Sequence, residues 1–252
     1  MNFSNTLAII SGGASGLGRA VAERVLAAGG RATILDLQDA GAAVATQIGA
    51  SFFKCDVSDE AQVTSAIDAA RHAMGGVNLL VNCAGVGGAG RLVGKDGPMQ
   101  GSHFEKVIRI NLLGTFHCDK AAAAIMQNNA ADADGERGVI IHTASVAAFE
   151  GQIGQVAYAA SKAGIVGMTL PIARELARFG IRCVAIAPGI FMTPMLAGMR
   201  QDIQDSLGQQ VPFPSRLGRP TEYAQMVQSI VENSMLNGET IRLDGAIRMG
   251  PR

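Results

Sequence analysis

Short, unbroken apolar runs alternate along the chain with longer amphipathic ones. LAIIS at 7–11, ATILD at 32–36, SFFKCD at 51–56, NLLVNCAG at 78–85, GVIIHTAS at 138–145, IRCVAIAPG at 181–189 and ETIRLDG at 239–245 are rich in Val, Ile and Leu. Most lack the polar alternation of a half-exposed strand, which is how strands covered on both faces read. Segments of helical period lie between them, at 17–28, 39–48, 59–74, 103–128, 156–179 and 220–233. Ser58 precedes the third, with Asp59 and Glu60 in its first turn. Pro220 suits the first turn of the last, and Gly180 follows the fifth as a stop. The alternation predicts an α/β chain: a single-domain, Rossmann-like, doubly wound seven-stranded parallel sheet with helices on both faces. No linker or internal repeat interrupts 1–252, so one domain is expected over the whole length.

Two stretches break the alternation. VGGAGRLVGKDGPMQGS, 86–102, is Gly-rich and aperiodic, and 191–220 is rich in Met and Pro with a weak helical middle. Long connections in a compact domain are usually functional, and both follow the carboxyl end of an expected strand, where open α/β sheets bind ligands. An insertion at 86–102 and a substrate loop or lid at 191–217 are therefore expected to wall the substrate site. The first would bring Arg91 and Lys95. The second would bring Phe191, Met192, Met195, Leu196 and Met199, hinged at Thr193 and Pro194.

Composition narrows the classes. Lys plus Arg and Asp plus Glu number 21 each, so the formal net charge is zero, with no sign of a nucleic-acid surface or a polybasic membrane patch. No apolar run reads as a membrane span, and MNFSNTLAII resembles neither a signal nor a transit peptide. Cys55, Cys83, Cys118 and Cys183 are isolated, and His72, His103, His117 and His142 show no ligand spacing. They suggest buried thiols in a reducing compartment, satisfied or surface histidines, and no metal site.

SGGASGLGRAVAERVLAAGG, 11–30, places Gly12, Gly16 and Gly18 between the first strand and the first helix. Gly12 permits a tight turn, Gly16 a close approach of backbone to a diphosphate, and Gly18 the packing of helix on strand. The helix N-terminus would then present free N–H groups to the anion. Asp36 ends the second strand eighteen residues after Gly18. An acid there accepts bonds from ribose hydroxyls and repels a 2′-phosphate, which favours NAD over NADP.

YAASK, 158–162, sets Tyr158 and Lys162 four residues apart, on one face of a helix. Taken alone it is either an ordinary surface pair or a phenol tuned by a cation. A free phenol has a pKa of about 10, too high for a base at neutral pH, and a nearby ammonium favours the phenolate.

Together these features resemble the short-chain dehydrogenase/reductase family over essentially the whole chain. Gly12 to Gly18, with Ser15 and Leu17, look like its cofactor turn, and Asp56-Val57 like the pair that covers adenine. Asn82-Cys83-Ala84-Gly85 resembles its NNAG element, with Cys83 a departure, and Pro188-Gly189 its PG turn. Asn111, Ser145, Tyr158 and Lys162 match its catalytic set, and Ser11 replaces a frequent Thr. RGVIIHTASVAAFEGQIGQVAYAASKAGIVGMTLPIAREL, QVPFPSRLG and NGETIRLDGAIRM are similar to one group within it, the type 2 3-hydroxyacyl-CoA (type 10 17β-hydroxysteroid) dehydrogenases, as is the 86–102 insertion.

The resemblance implies a homotetramer acting with NAD on short and branched-chain 3-hydroxyacyl-CoA, with side activity on steroid alcohols. It implies cofactor contacts at Ser15, Leu17, Asp36, Asp56, Val57, Cys83, Tyr158, Lys162, Phe191 and Thr193. Tyr158 would be the general acid/base, Ser145 would hold the substrate oxygen, and Lys162 would lower the tyrosine's pKa and bind ribose. Asn111 would hold a water linking Lys162 to solvent. A hydroxysteroid or other secondary-alcohol dehydrogenase would use the same residues. A 3-oxoacyl-carrier-protein reductase fits Asp36 less well, and a non-catalytic NAD-binding scaffold has no need of the Ser-Tyr-Lys set. The expected location is the cytoplasm, or the mitochondrial matrix in a eukaryote.

Overall fold

A computed structural model describes residues 1–95 and 97–251, with the Met195 side chain outside the description. Strands form at all seven apolar runs: β1 Leu7–Ser11, β2 Arg31–Asp36, β3 Ser51–Lys54, β4 Leu79–Asn82, β5 Gly138–Thr143, β6 Ile181–Pro188 and β7 Thr240–Leu243. They make one sheet of order β3-β2-β1-β4-β5-β6-β7, parallel at every pairing.

The helices are α1 Gly16–Ala27, α2 Ala40–Ile48, α3 Glu60–Met74, α4 Gly101–Ile108, α5 Gly114–Met126, α6 Val156–Leu176, α7 Pro194–Ala197, α8 Gln201–Gln209 and α9 Pro220–Glu232. Successive strand residues point to opposite faces. Ala8 and Ile10 accordingly pack with Val21 and Val25 of α1 and Val227 of α9, while Ile9 packs with Ile67 of α3 and Cys118 of α5. Both faces are covered, which is why the strands read as unbroken apolar runs.

Local signals fix the element ends. Asp59, not Ser58, caps α3, accepting bonds from the Ala61 and Gln62 N–H groups at 3.0 and 3.1 Å. Gly180 is left-handed at φ 70° and ends the short 3₁₀ turn after α6. The expected single helix over 103–128 is instead α4, a five-residue π turn at Arg109–Leu113, and α5. The 86–102 insertion carries a small antiparallel hairpin, Val93–Gly94 against Gly97–Pro98.

By length and mean hydropathy, 1.3, the Val156–Phe179 segment is long and apolar enough to cross a membrane, contrary to the sequence expectation. In the fold it lies on the sheet, with Ile165 packed against Ala185 and Ala187 of β6.

Candidate active site

The strand order reverses between β1 and β4, so the loops that leave these strands open a crevice at the carboxyl edge. Gly12 sits there at φ 65°, and a Cβ on it would come within 2.7 Å of the Ala84 nitrogen. A Cβ on Gly18 would lie 2.5 Å from the Gly12 carbonyl oxygen. A Cβ on Gly16, at φ 53°, would lie 3.4 Å from Pro194 Cδ, so the start of the 191–217 segment overlies the turn. The Ser15 hydroxyl makes no capping bond to α1, which leaves the first N–H groups of that helix free of side-chain partners. A glycine cradle at an uncapped helix start fits the diphosphate of a dinucleotide.

Asp36 is held beside this cradle. Its Oδ2 accepts from the Ala14 N–H and its Oδ1 from the Gln38 N–H, each at 3.1 Å. Leu37 beside it is 57% exposed and offers no cation. Asp56 Oδ1 accepts from the Ser58 N–H and hydroxyl, and Val57 is buried against Gly114. Leu17 is partly buried against the core.

The catalytic candidates converge on the same edge. Ser145 follows β5, its Oγ accepting from the Ala147 N–H at 3.1 Å. Tyr158 and Lys162 lie one turn apart on α6, with Lys162 Nζ 5.7 Å from the tyrosine ring centre. Lys162 is buried and donates to the Thr143 carbonyl at 2.7 Å. Gly85 lies close against these groups: a Cβ there would stand 3.1 Å from Asn111 Oδ1 and 3.8 Å from Lys162 Nζ. Cys83 accepts a 3.5 Å bond from the Thr143 hydroxyl, and burial raises its thiol pKa.

Asn111, at the centre of the π turn, has its side chain fully used. Its amide donates to the Val86 carbonyl and to Ser161 Oγ, both at 3.0 Å, and its Oδ1 accepts from the Val86 N–H at 2.8 Å. It thus staples the root of the insertion to α6. Its own carbonyl accepts from the Thr115 hydroxyl at 2.8 Å.

Burial governs the electrostatics. It raises the Tyr158 pKa, with only the Ser145 hydroxyl acting the other way. It pushes Lys162 down to about 8, against a weak opposing effect of Cys83. The expected depression of Tyr158 by Lys162 is therefore not in the chain's own charges: the phenol stays protonated at neutral pH.

Three other expectations change. The Phe191 ring packs in the core against Gly218 instead of standing in a mobile lid. The insertion meets the Gly151–Ala159 stretch, with the Gly90 N–H donating to the Gly154 carbonyl at 2.8 Å. Between them lies a cavity of about 510 Å³ lined by Arg91, Leu92, Val93, Ile153, Val156 and Ala159 among others. The base of the 191–217 segment lines a separate cleft with α9, about 340 Å³, containing Arg216 and Glu222. Thr193 and Pro188 lie where the crevice opens, Pro188 ending β6 and Thr193 preceding α7.

The sequence reading missed Thr143, which acts through its carbonyl, and Ser161, the partner of Asn111. It also missed Asp119, whose signal is a lone acid in the apolar α5 run, buried at 3% exposure beside His142.

A model of the short chain dehydrogenase family matches residues 6–204. The 3-hydroxyacyl-CoA dehydrogenase type-2 of Bos taurus is 53% identical over 250 residues, covering 97% of this chain and 96% of that one. Its Drosophila melanogaster counterpart is 48% identical, covering 98% and 99%. The crystal structure of 3-hydroxyacyl-CoA dehydrogenase type-2 from Mycobacterium avium superposes with a TM-score of 0.92 at 40% identity, covering 100% of this chain and 98% of that one. Likeness that runs end to end, through sequence as well as backbone, goes beyond a shared architecture, and the chain belongs to the short-chain dehydrogenase family.

Proposed function

We propose that this chain is an NAD-dependent dehydrogenase that interconverts 3-hydroxyacyl-CoA and 3-oxoacyl-CoA of short or branched chain. The observation that carries the reaction type is the convergence of Ser145, Tyr158 and Lys162 beside the glycine cradle. Near-full-length identity to proteins named 3-hydroxyacyl-CoA dehydrogenase type-2 supports the substrate class. Asp36, fixed beside the cradle with no cation at Leu37, supports NAD.

The nicotinamide cofactor, when bound, supplies or takes up the hydride. The rest falls to the chain. Gly12, Gly16, Gly18, Ser15 and Leu17 would receive the diphosphate, Asp36 the adenosine ribose, and Asp56 and Val57 would flank the adenine. Cys83, Gly85, Pro188, Phe191 and Thr193 would border the nicotinamide end. Ser145 holds the substrate oxygen. Tyr158, kept protonated by burial, hands its proton to that oxygen in reduction and takes it back in oxidation. Lys162, anchored at Thr143, would hold the cofactor's nicotinamide ribose.

The chain acts as a single domain and as a homotetramer. Ala122, Ala123 and Met126 of α5 are buried. Leu113, Phe116 and Leu170 on the α5–α6 layer are exposed instead and suit a subunit contact. Partnerless cysteines, three of them buried, support a reducing location such as the cytoplasm or the mitochondrial matrix. The test is NADH oxidation with acetoacetyl-CoA beside a panel of oxosteroids and NADPH. Turnover of a steroid but of no acyl-CoA would overturn the substrate reading, and the hydroxysteroid alternative would take its place.

A further inference from the structure

Behind the catalytic edge lies a fully buried polar chain that the reaction does not use directly. His142 of β5 and Thr169 of α6 are at most 1% exposed, and Asp119 of α5 is 3% exposed. His142 Nε2 stands 2.9 Å from Asp119 Oδ2, and Nδ1 stands 3.0 Å from Thr169 Oγ1. The other carboxylate oxygen, Asp119 Oδ1, accepts from the Asn82 amide of β4 at 2.8 Å. Cys183 of β6 closes the cluster, with Sγ 3.7 and 3.8 Å from the ring nitrogens.

The proton count can be read from these contacts. Thr169 has one hydroxyl proton, and it goes to the Ile165 carbonyl at 2.8 Å. Its oxygen must then accept from His142, so Nδ1 carries a proton. A second proton lies between Nε2 and Asp119. The Asn82 amide takes up the other carboxylate oxygen, and this proton is placed on Nε2. Cys183 stays a neutral thiol, its pKa raised by burial. Burial opposes a charged imidazole, yet the Asp119 carboxylate beside it holds the His142 pKa well above its ordinary value.

The placement gives the pair a task. His142 directly precedes Thr143, whose carbonyl anchors Lys162, and Thr169 lies two turns beyond Lys162 on the same helix. The lysine bond and the histidine bond therefore tie α6 to β5 at two heights. A slide of α6 along the strand would break both. We infer that His142 is a positioning residue: as an imidazolium paired with Asp119, it sets the register of α6 on β5 and so holds Tyr158 and Lys162 in place.

This inference rests on the proposed reaction only for its kinetic arm. The first arm needs no substrate. Protein labelled with ¹⁵N-histidine is followed by NMR from pH 6 to 9, with His142→Gln assigning the resonances. Both His142 ring nitrogens should stay protonated through pH 8, and a neutral imidazole at pH 7.5 would overturn the ion pair. In the second arm Asp119→Asn and His142→Gln should each lower kcat on the order of tenfold, short of the 10²-fold that a 1 Å misplacement costs. The Kd for NADH and the KM for acetoacetyl-CoA should stay within about twofold. If these variants do not fold, Thr169→Val removes only the α6 tie and should lower kcat several-fold. Unchanged kcat in a folded variant, or a loss confined to cofactor binding, would overturn the positioning role. If acetoacetyl-CoA is not turned over at all, the substrate reading fails while the NMR arm still decides the ion pair, and the kinetic arm is run with the secondary alcohol that is oxidised.

Discussion

Lys162 Nζ and the Thr143 carbonyl oxygen lie 2.7 Å apart, so the cation one turn beyond Tyr158 is anchored to the end of β5. A lysine held by a neutral carbonyl, with no carboxylate beside it among the described residues, keeps little compensation for burial, and its pKa falls to about 8. The unfolded value is 10.5. Below pH 8 both states hold the proton and the folded chain bears the full penalty. Between pH 8 and 10.5 the unfolded chain holds a proton that the folded one has released, so this group's contribution to stability rises with pH. Lys162→Met removes that dependence. The stability of the unmodified protein relative to the variant should therefore rise from pH 8 to 10.5, by about 3 kcal/mol at most. Urea titrations of both proteins across that window check it, and parallel curves would refute the buried charge.

Tyr158→Phe should bind NADH as the unmodified protein does, yet lose about 10²–10⁴-fold in kcat. The phenol oxygen is the only part removed, and α6 keeps its packing. Because burial keeps the phenol protonated, the two directions should respond oppositely to pH: reduction falls and oxidation rises as pH increases. Initial rates in both directions from pH 6 to 10 test this. A Phe variant with more than half of the original kcat would remove Tyr158 from its role.

Asp36→Ala, with Arg placed at Leu37, should narrow the preference for NAD over NADP. The carboxylate is fixed by the Ala14 and Gln38 N–H groups and cannot swing clear of a 2′-phosphate. The ratio of kcat/KM for the two cofactors is the measurement. A ratio near one in the unmodified protein would show that Asp36 does not select.

How far the sequence carried these readings differs by element. The strands were legible because a parallel sheet covered on both faces leaves Val, Ile and Leu on both sides of each strand. Gly12 and Gly18 were legible because no side chain fits there. Tyr158 and Lys162 were legible because their tie is local, one helical turn. The π turn was not legible: Asn111 was found by resemblance, and the backbone shift that aims its side chain at Val86 and Ser161 leaves no mark in composition. The Thr143 carbonyl carries no identity signal at all, since any residue would offer it. Asp119 and His142 meet across 23 residues of sequence, beyond the reach of periodicity. Phe191 misled because an apolar residue after a strand suits a lid and a core equally, and Gly218 decided for the core.

Asn111→Ala should destabilise the fold by about 1–3 kcal/mol, since it strands the Val86 N–H and carbonyl that the side chain satisfies. The loss should be local as well as global. With the staple gone, the 86–102 insertion should become the first site of limited proteolysis. Urea denaturation and mass mapping of early fragments check both. A variant of unchanged stability would mean that Val86 finds other partners.

The last prediction concerns the acyl carrier. Arg91 lines the cavity between the insertion and Gly151–Ala159, next to Val156 and Ala159, which flank Tyr158 in sequence. Leu92, Val93 and Ile153 give the same cavity apolar walls. An acyl-CoA needs both features, apolar contact for the chain and a cation for its phosphates, and a guanidinium suits phosphate oxygens. Lys95 lies next to the hairpin, exposed. A lysine so placed adds charge at longer range and less geometry. Arg91→Ala should therefore raise the KM for acetoacetyl-CoA several-fold, with Lys95→Ala adding less. Both should leave turnover of a steroid alcohol, which carries no phosphate, nearly unchanged. The Arg91 effect should also shrink as salt rises from 50 to about 500 mM, because an exposed ion contact is screened over about 10 Å at 0.1 M. Equal losses for both substrates would make the insertion a structural wall. No loss for either would place coenzyme A elsewhere, with the cleft between α9 and the 191–217 segment the next site to probe.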